Sequence, residues 1–155
     1  MINLADELSK AYNGDPWHGS NTLDLLRAAN AEKVFTHPIP NAHSIAELTL
    51  HLTAWTEEAI ARINGHAAKE PAIGDWPVPN ENSAEEWERI LNGFKAANEE
   101  LIALCGQLDS HQWEAAVKDG RNPALGSGVN NAELINGLVQ HHAYHAGQVA
   151  LLLKF

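Results

Sequence analysis

Apolar residues recur every three or four positions along much of the chain, which is the repeat of an amphipathic helix. Near the C-terminus the spacing between successive positions of the pattern alternates between four and three residues, as in a bundle seam. These positions are Leu134, Leu138, His141, His145, Gln148 and Leu152, so the seam includes polar residues. Two earlier segments open with Ser-x-x-Glu, at Ser44 and at Ser83, and such a capping box satisfies the free amides of a first helical turn. Their apolar repeats stop at Gly65 and Gly106. These patterns predict three long helices.

A shorter repeat predicts a broken N-terminal helix. It starts at Leu4 and ends at Asn13-Gly14, and we expect Ser20 to cap its continuation beyond the Gly14–Pro16 break. No stretch shows the sustained Val, Ile and Thr alternation that strands require, apart from a short candidate at 116–118. The sequence therefore predicts an all-α fold, and its four main helical segments indicate a four-helix bundle.

Two long connections separate the later helices, from Gly65 to Ser83 and from Gly106 to Asn130. Loops of this length in a compact domain usually have a function, such as covering a site, although a packed decoration is the alternative. No internal repeat, low-complexity tract or linker divides the 155 residues, so we expect one domain over 1–155.

Composition excludes several classes of protein. The formal net charge is −10 and the ten basic residues are scattered, which argues against binding to nucleic acid. The longest aliphatic run, 149–153, is far too short to span a membrane. Cys105 is the single cysteine, and the first six residues lack the pattern of a signal peptide, so we expect a cytoplasmic protein.

Nine histidines make chance pairs common, since random placement gives roughly 0.5 pairs at spacing four. The pair His141 and His145 is nevertheless notable because both occupy seam positions, where two imidazoles one turn apart can converge on a metal. His142 follows the first of them where a zincin protease needs Glu, which disfavours that class. His51, at the edge of the apolar stripe of another helix, is the best third ligand. Pattern alone supports a metal site and three hydrogen-bonded core histidines equally.

Other residues have weaker claims to a role. The candidates for a supporting or pocket role are Glu47, Gln148, Tyr144 and His18, and each also has a structural explanation, such as the capping box for Glu47. The histidines near loops or helix ends are expected to be solvated: His37, His43, His66 and His111. Core packing is expected for Trp17, Trp55 and Trp87, and loop anchoring for Trp76 and Trp113. Cys105 is expected to be a buried hydrophobic residue.

The helical motifs resemble a known family. The segment 41–55, NAHSIAELTLHLTAW, is similar to the second-helix signature of the DinB/YfiT-like superfamily, and 137–152, GLVQHHAYHAGQVALL, is similar to its fourth-helix signature. The segment 14–19, GDPWHG, resembles an N-terminal motif of many members. The resemblance covers nearly the whole chain, with the motifs in the right order.

This resemblance implies a four-helix bundle, often a homodimer, in which three histidines hold a divalent metal. Carried onto this sequence, the metal ligands are His51, His141 and His145. Zinc and nickel are the favoured metals, and iron also suits imidazole ligands. The visible departure is His142, where relatives commonly carry Asp; it removes no ligand.

Relatives also indicate a reaction. Three neutral imidazoles leave the metal charge uncompensated and a coordination position open, as in catalytic sites. Characterised members include transferases and isomerases that use low-molecular-weight thiols such as bacillithiol or mycothiol. The resemblance therefore implies a metal-dependent S-transferase in which a metal-bound thiolate attacks a small electrophilic molecule. Two alternatives stay open, namely a hydrolase that uses metal-bound water and a non-catalytic, stress-associated, dimeric metal-binding module.

Overall fold

The computed structural model describes residues 2–120 and 128–155. Within these residues the chain forms six helices: α1 (Leu4–Asn13), α2 (Thr22–Arg27), α3 (Ile45–Ile63), α4 (Ala84–Cys105), α5 (Ser110–Glu114) and α6 (Asn131–Leu152). None of the described residues belongs to a strand, and the candidate strand at 116–118 is a single isolated bridge between Ala116 and Asn130. The all-α prediction is therefore confirmed. None of the helices in these residues is long and apolar enough to cross a membrane.

Helix ends follow the capping residues closely. At α3 the Ser44 hydroxyl accepts the Glu47 N–H while the Glu47 carboxylate accepts the Ser44 N–H, which completes the predicted capping box. Gly65, just beyond α3, has a φ of 86° that suits glycine. The cap of α2 is Asn21 and not Ser20, because the Asn21 side chain accepts the Asp24 N–H and also donates to the carbonyl of Gly14.

The four predicted helical segments correspond to α1 with its short continuation α2, and to α3, α4 and α6. The four longer helices contact one another in a closed ring, in the order α1, α4, α3 and α6. Apolar side chains such as Leu8, Leu52, Phe94 and Val149 fill the interior of this ring. Trp87 lies in this core as expected, whereas Trp17 is fully exposed beside the turn after α1, so its predicted core position is wrong.

The buried face of α6 differs in register from the predicted seam. Its buried line consists of Ile135, Leu138, His142, His145, Val149 and Leu152. The predicted positions Leu134, His141 and Gln148 lie beside this line and are half-buried. The difference arises because α6 packs against both α1 and α3, which makes its buried stripe wide. The stripe therefore includes both the buried line and the half-buried positions predicted for the seam. His142 consequently faces the interior and not the solvent.

Both long connections pack against the helices. The first follows α3 and folds back on it, with the Lys69 N–H donated to Glu58 at 2.9 Å and Arg62 donating to the Lys69 carbonyl at 3.0 Å. The second contains α5, and its Lys118 carbonyl accepts the N–H of Ala68 in the first connection. Further along, the first connection reaches the level of His51 on α3, where the Asp75 backbone carbonyl contacts the His51 ring.

Candidate metal centre

Three imidazoles from two helices meet at one point. His51 lies in the middle of α3, and His141 and His145 lie one turn apart on α6. The Nε2 atom of His141 is 2.9 Å from Nε2 of His51 and 3.0 Å from Nε2 of His145. His51 and His145 are buried, and His141 is half-buried. These three residues, each offering one nitrogen, could hold a metal ion. The Asp75 carboxylate lies outside this group, 3.3 Å from the outer nitrogen, Nδ1, of His51.

Two of these rings have their protonation fixed by a neighbour. The Nδ1 atom of His51 lies 2.6 Å from the backbone carbonyl of Asp75, and a carbonyl oxygen can only accept. Nδ1 of His145 likewise donates to the side-chain oxygen of Gln148 at 2.8 Å. A neutral imidazole carries a single N–H, so the Nε2 atom of each of these two rings has no hydrogen. Its lone pair is directed at His141.

This arrangement fits a cation better than a hydrogen-bond network. Nε2 of His141 can donate its one hydrogen to either His51 or His145, so a contact between two lone pairs would remain without a cation. Two nitrogens bound about 2.0–2.1 Å from one metal lie roughly 2.9 to 3.4 Å apart for bond angles from right to tetrahedral. The two separations that involve His141, 2.9 and 3.0 Å, match the short end of this range, and all three nitrogens lie within 4.8 Å of one another.

The surroundings of His141 and His145 favour the neutral imidazole, which is the form that binds a metal. Burial, followed by the neighbouring His145 and His51, lowers the pKa of His141 to about 4. Burial also lowers the pKa of His145. Both imidazoles are therefore neutral at pH 7, as metal coordination requires.

The connection between α3 and α4 covers the centre with an aromatic stack. The ring of Trp76 lies flat on His51, with centroids 3.8 Å apart and planes 8° apart, and His43 stacks on its other face at 3.6 Å. Asp75 is held beside it by the Trp55 indole N–H, which donates to the Asp75 carboxylate at 2.7 Å. The connection thus both orients His51 and shields it from water. Neither Asp75 nor the stacking of His43 was predicted, since a backbone carbonyl and a loop contact leave no pattern in the sequence.

The predicted supporting residues have different outcomes. Gln148 contacts His145, as described above. Glu47 does not reach His51, because a carboxylate at its position in the first turn bends back to the helix cap, where it accepts from Ser44 and lies 2.9 Å from His37. The Asp75 carbonyl takes the role expected of Glu47.

The two pocket candidates also differ. Tyr144 is exposed, and its ring meets His145 edge-on at 4.9 Å. His18 is exposed in the turn between α1 and α2 and is not among the described residues that surround the centre. Cys105, the only thiol of the chain, is buried, and burial raises its pKa to about 12, so it is no nucleophile.

His142 lies behind the centre in the core. Its Nε2 is 3.3 Å from the Thr56 hydroxyl, its ring faces Phe94, and its Nδ1 has no hydrogen-bond partner among the described residues. Burial, with a smaller effect of His141 and His145, lowers its pKa to about 3. A neutral ring at this position therefore brings no negative charge to the centre, which is the consequence of the departure from the family motif noted above.

Comparison with known families agrees with the motifs. The sequence model of the DinB superfamily matches residues 17–149, a stretch that contains α2 to α5, most of α6 and all three histidines of the centre. A comparison with curated proteins gives no match. Because the match extends over most of the chain, the protein belongs to the DinB superfamily.

Proposed function

We propose that this protein is a divalent-metal-dependent transferase that joins a low-molecular-weight thiol to a small electrophilic molecule. The observation that carries the proposal is the convergence of three imidazole nitrogens from His51, His141 and His145, with the nearby Asp75 carboxylate outside the group. Three neutral ligands leave the charge of a divalent ion uncompensated and a coordination position open, which suits catalysis better than structural support. Zinc and nickel are the expected metals, with iron as a further candidate.

Several residues of the chain would support this reaction in different ways. A bound divalent metal supplies the positive charge that ionises a thiol at neutral pH. The Asp75 carbonyl and the Gln148 amide hold His51 and His145 in the required orientation. Trp76 limits access of water from the side of the connection. A cavity of about 350 Å³, lined by His145, Gln148 and Tyr144, offers room for a small ligand beside the centre.

Elemental mass spectrometry of tag-free protein is the first test. We expect close to one metal per chain in the parent and none in His51→Ala or His141→Ala, while His66→Ala, which removes an exposed histidine after α3, keeps the metal. A parent chain that stays empty after exposure to zinc, nickel and iron would contradict the proposal and leave three core histidines.

Activity assays separate the remaining functions. Turnover of a generic electrophile that requires both thiol and metal supports the transferase. Hydrolysis of esters or amides without added thiol would indicate a hydrolase instead. Metal occupancy with neither activity would indicate a non-catalytic binding module. The homodimer and the small-molecule substrate that the resemblance implies stay predictions, and light scattering tests the first of them.

A further inference from the structure

The centre divides the groove between α3 and α6 into two parts. These helices are antiparallel, since His51 meets His145 while Thr56, further along α3, meets the earlier residue His142. Leu48, one turn before His51, lines a cavity together with Gln148, which we name the His145 cavity. Trp55, one turn after His51, lines a second cavity on the other side, which we name the His141 cavity. Each cavity therefore reaches one histidine of the centre, His145 in the first and His141 in the second.

The His141 cavity has an apolar lining. It measures about 370 Å³, and its walls include Trp55, Ala59, Leu134 and Leu138. Its cation, Arg62, is already paired, because its Nε–H donates to the buried Glu58 at 3.1 Å. Such a surface favours an uncharged, apolar ligand.

The charged groups of the His141 cavity are both engaged. Arg62 also donates to the Lys69 carbonyl, and its guanidinium carbon lies 5.7 Å from the centre of the Trp55 ring. Glu133, the acidic residue of the lining, accepts the Asn130 N–H in the capping box of α6. Each of these two charged groups is therefore already held by a partner within the chain.

The His145 cavity offers more polar groups. Its lining includes Asn41, His43, Gln148 and the exposed Tyr144, around the ring of Trp76. These side chains can form several hydrogen bonds with a polar molecule. Both cavities have apolar walls, which in the His145 cavity include Ile39, Leu48 and Leu151, but the His145 cavity adds more polar side chains.

A glycine keeps the His141 cavity open. Gly137 lies inside α6, where glycine weakens a helix relative to alanine. A Cβ atom at this position would have no atom within 4 Å, so no close approach of another element requires the glycine. Because Gly137 lines the cavity, a larger side chain here would fill space that a ligand could use.

We infer that the His141 cavity binds the acceptor, a small, uncharged and apolar electrophile, while the His145 cavity receives the polar thiol. This assignment rests on the proposed function. In the transfer, the thiol sulfur bonds to the electrophilic carbon and the bond from that carbon to its leaving group breaks. The leaving group departs as an anion with the bonding electrons, and the thiol proton passes to solvent. Both substrates can be present together, and the sulfur and the electrophilic carbon must then meet at the centre, at about 3–3.5 Å, for the bond to form.

Fluorine NMR tests the assignment without catalysis. The probe is 4-(trifluoromethyl)benzyl alcohol, an unreactive, uncharged and apolar molecule, titrated with the metal-free and the zinc-loaded protein. Gly137→Leu fills the His141 cavity and Ala42→Phe fills the His145 cavity. Gly93→Leu is the matched control, because Gly93 is also an exposed helical glycine with open space at its Cβ but lines neither cavity. Circular dichroism and metal content are measured for every variant.

We expect Gly137→Leu to weaken probe binding by about tenfold or more, as filling an apolar pocket does. Binding should change less than about twofold in Gly93→Leu and Ala42→Phe. Should Gly137→Leu fail to fold, Leu134→Trp fills the same cavity from the preceding turn of α6. No binding by the parent, unchanged binding by Gly137→Leu, or a loss confined to Ala42→Phe would each overturn the assignment. Failure of the proposed function would appear separately, as missing metal or missing thiol-dependent turnover.

Discussion

Gln148 reaches the centre through a single contact, the hydrogen bond that its side-chain oxygen accepts from Nδ1 of His145. Removing such an outer partner frees a metal-binding histidine to rotate, and typically weakens metal binding by about 10- to 100-fold. We expect Gln148→Ala to show a loss of this size in a competition with a chelator. Its helix content should stay the same, since Gln148 lies beside the buried line of α6. Gln140→Ala, an exposed glutamine on the same helix, serves as the control, and an equal loss in both variants would contradict this role.

His142 contributes to the core and not to the metal site. Its side chain is fully buried between Thr56 and Phe94. We expect His142→Ala to lower the free energy of unfolding by about 2–4 kcal/mol, because it leaves a cavity in a closely packed interior. Urea denaturation measures this loss, and metal content should be retained. His111→Ala, which truncates an exposed histidine, should have little effect. An equally small change in His142→Ala would show that the ring is not part of the packing.

At the scale of elements, the start of α4 is stabilised by a carboxylate that must stay ionised. The Glu86 carboxylate accepts from Arg89 at 2.6 Å and from the Asn80 N–H at 2.9 Å. These contacts, the Arg89 hydrogen bond first, lower its pKa from 4.5 to about 2 although burial opposes them. A folded-state pKa below the unfolded value gives stability that is complete above pH 4.5 and is lost as the pH falls towards 2.

We therefore expect Glu86→Gln to be less stable than the parent at pH 7, with a difference that shrinks between pH 4.5 and 2. Denaturation curves measured across this interval check the sign. Glu88→Gln makes the same change of charge at an exposed position of α4 and should leave the pH dependence of the parent unchanged. A constant difference between Glu86→Gln and the parent at all pH values would contradict the ionic origin of the effect.

The elements also show what the sequence could predict. Capping residues such as Ser44 and Glu47 act over a few neighbouring positions, so the sequence places the start of α3 correctly. The sequence predicts the buried face of α6 less well, because the width of this face depends on the two helices that pack against it. The Asp75 carbonyl lies 24 positions from His51, and its contact depends on how a long connection folds back. Local rules predict the helices, the family motifs point to the three histidines, and long-range packing decides the surroundings of these histidines.

At the scale of the whole molecule, we expect the apolar interior of the closed ring of helices to support folding without metal. The three histidines lie on one side of this interior, between α3 and α6, while Leu8 and Phe94 fill it from α1 and α4. We expect His141→Ala to lose the metal yet keep its helix content and cooperative unfolding. Its stability should fall by less than about 1 kcal/mol relative to the metal-free parent. Circular dichroism during thermal unfolding measures both, and a His141→Ala variant that has lost its helix content or its cooperative transition would make the site structural.

The stack of His43, Trp76 and His51 gives the protein an intrinsic optical reporter. The indole of Trp76 lies 3.8 Å from the imidazole of His51, parallel to it and within van der Waals contact. A cation placed on that imidazole changes the electric field at the indole, and hence the energy and lifetime of its excited state. The fluorescence of Trp76 should therefore reveal when an ion enters or leaves the centre, without any attached dye.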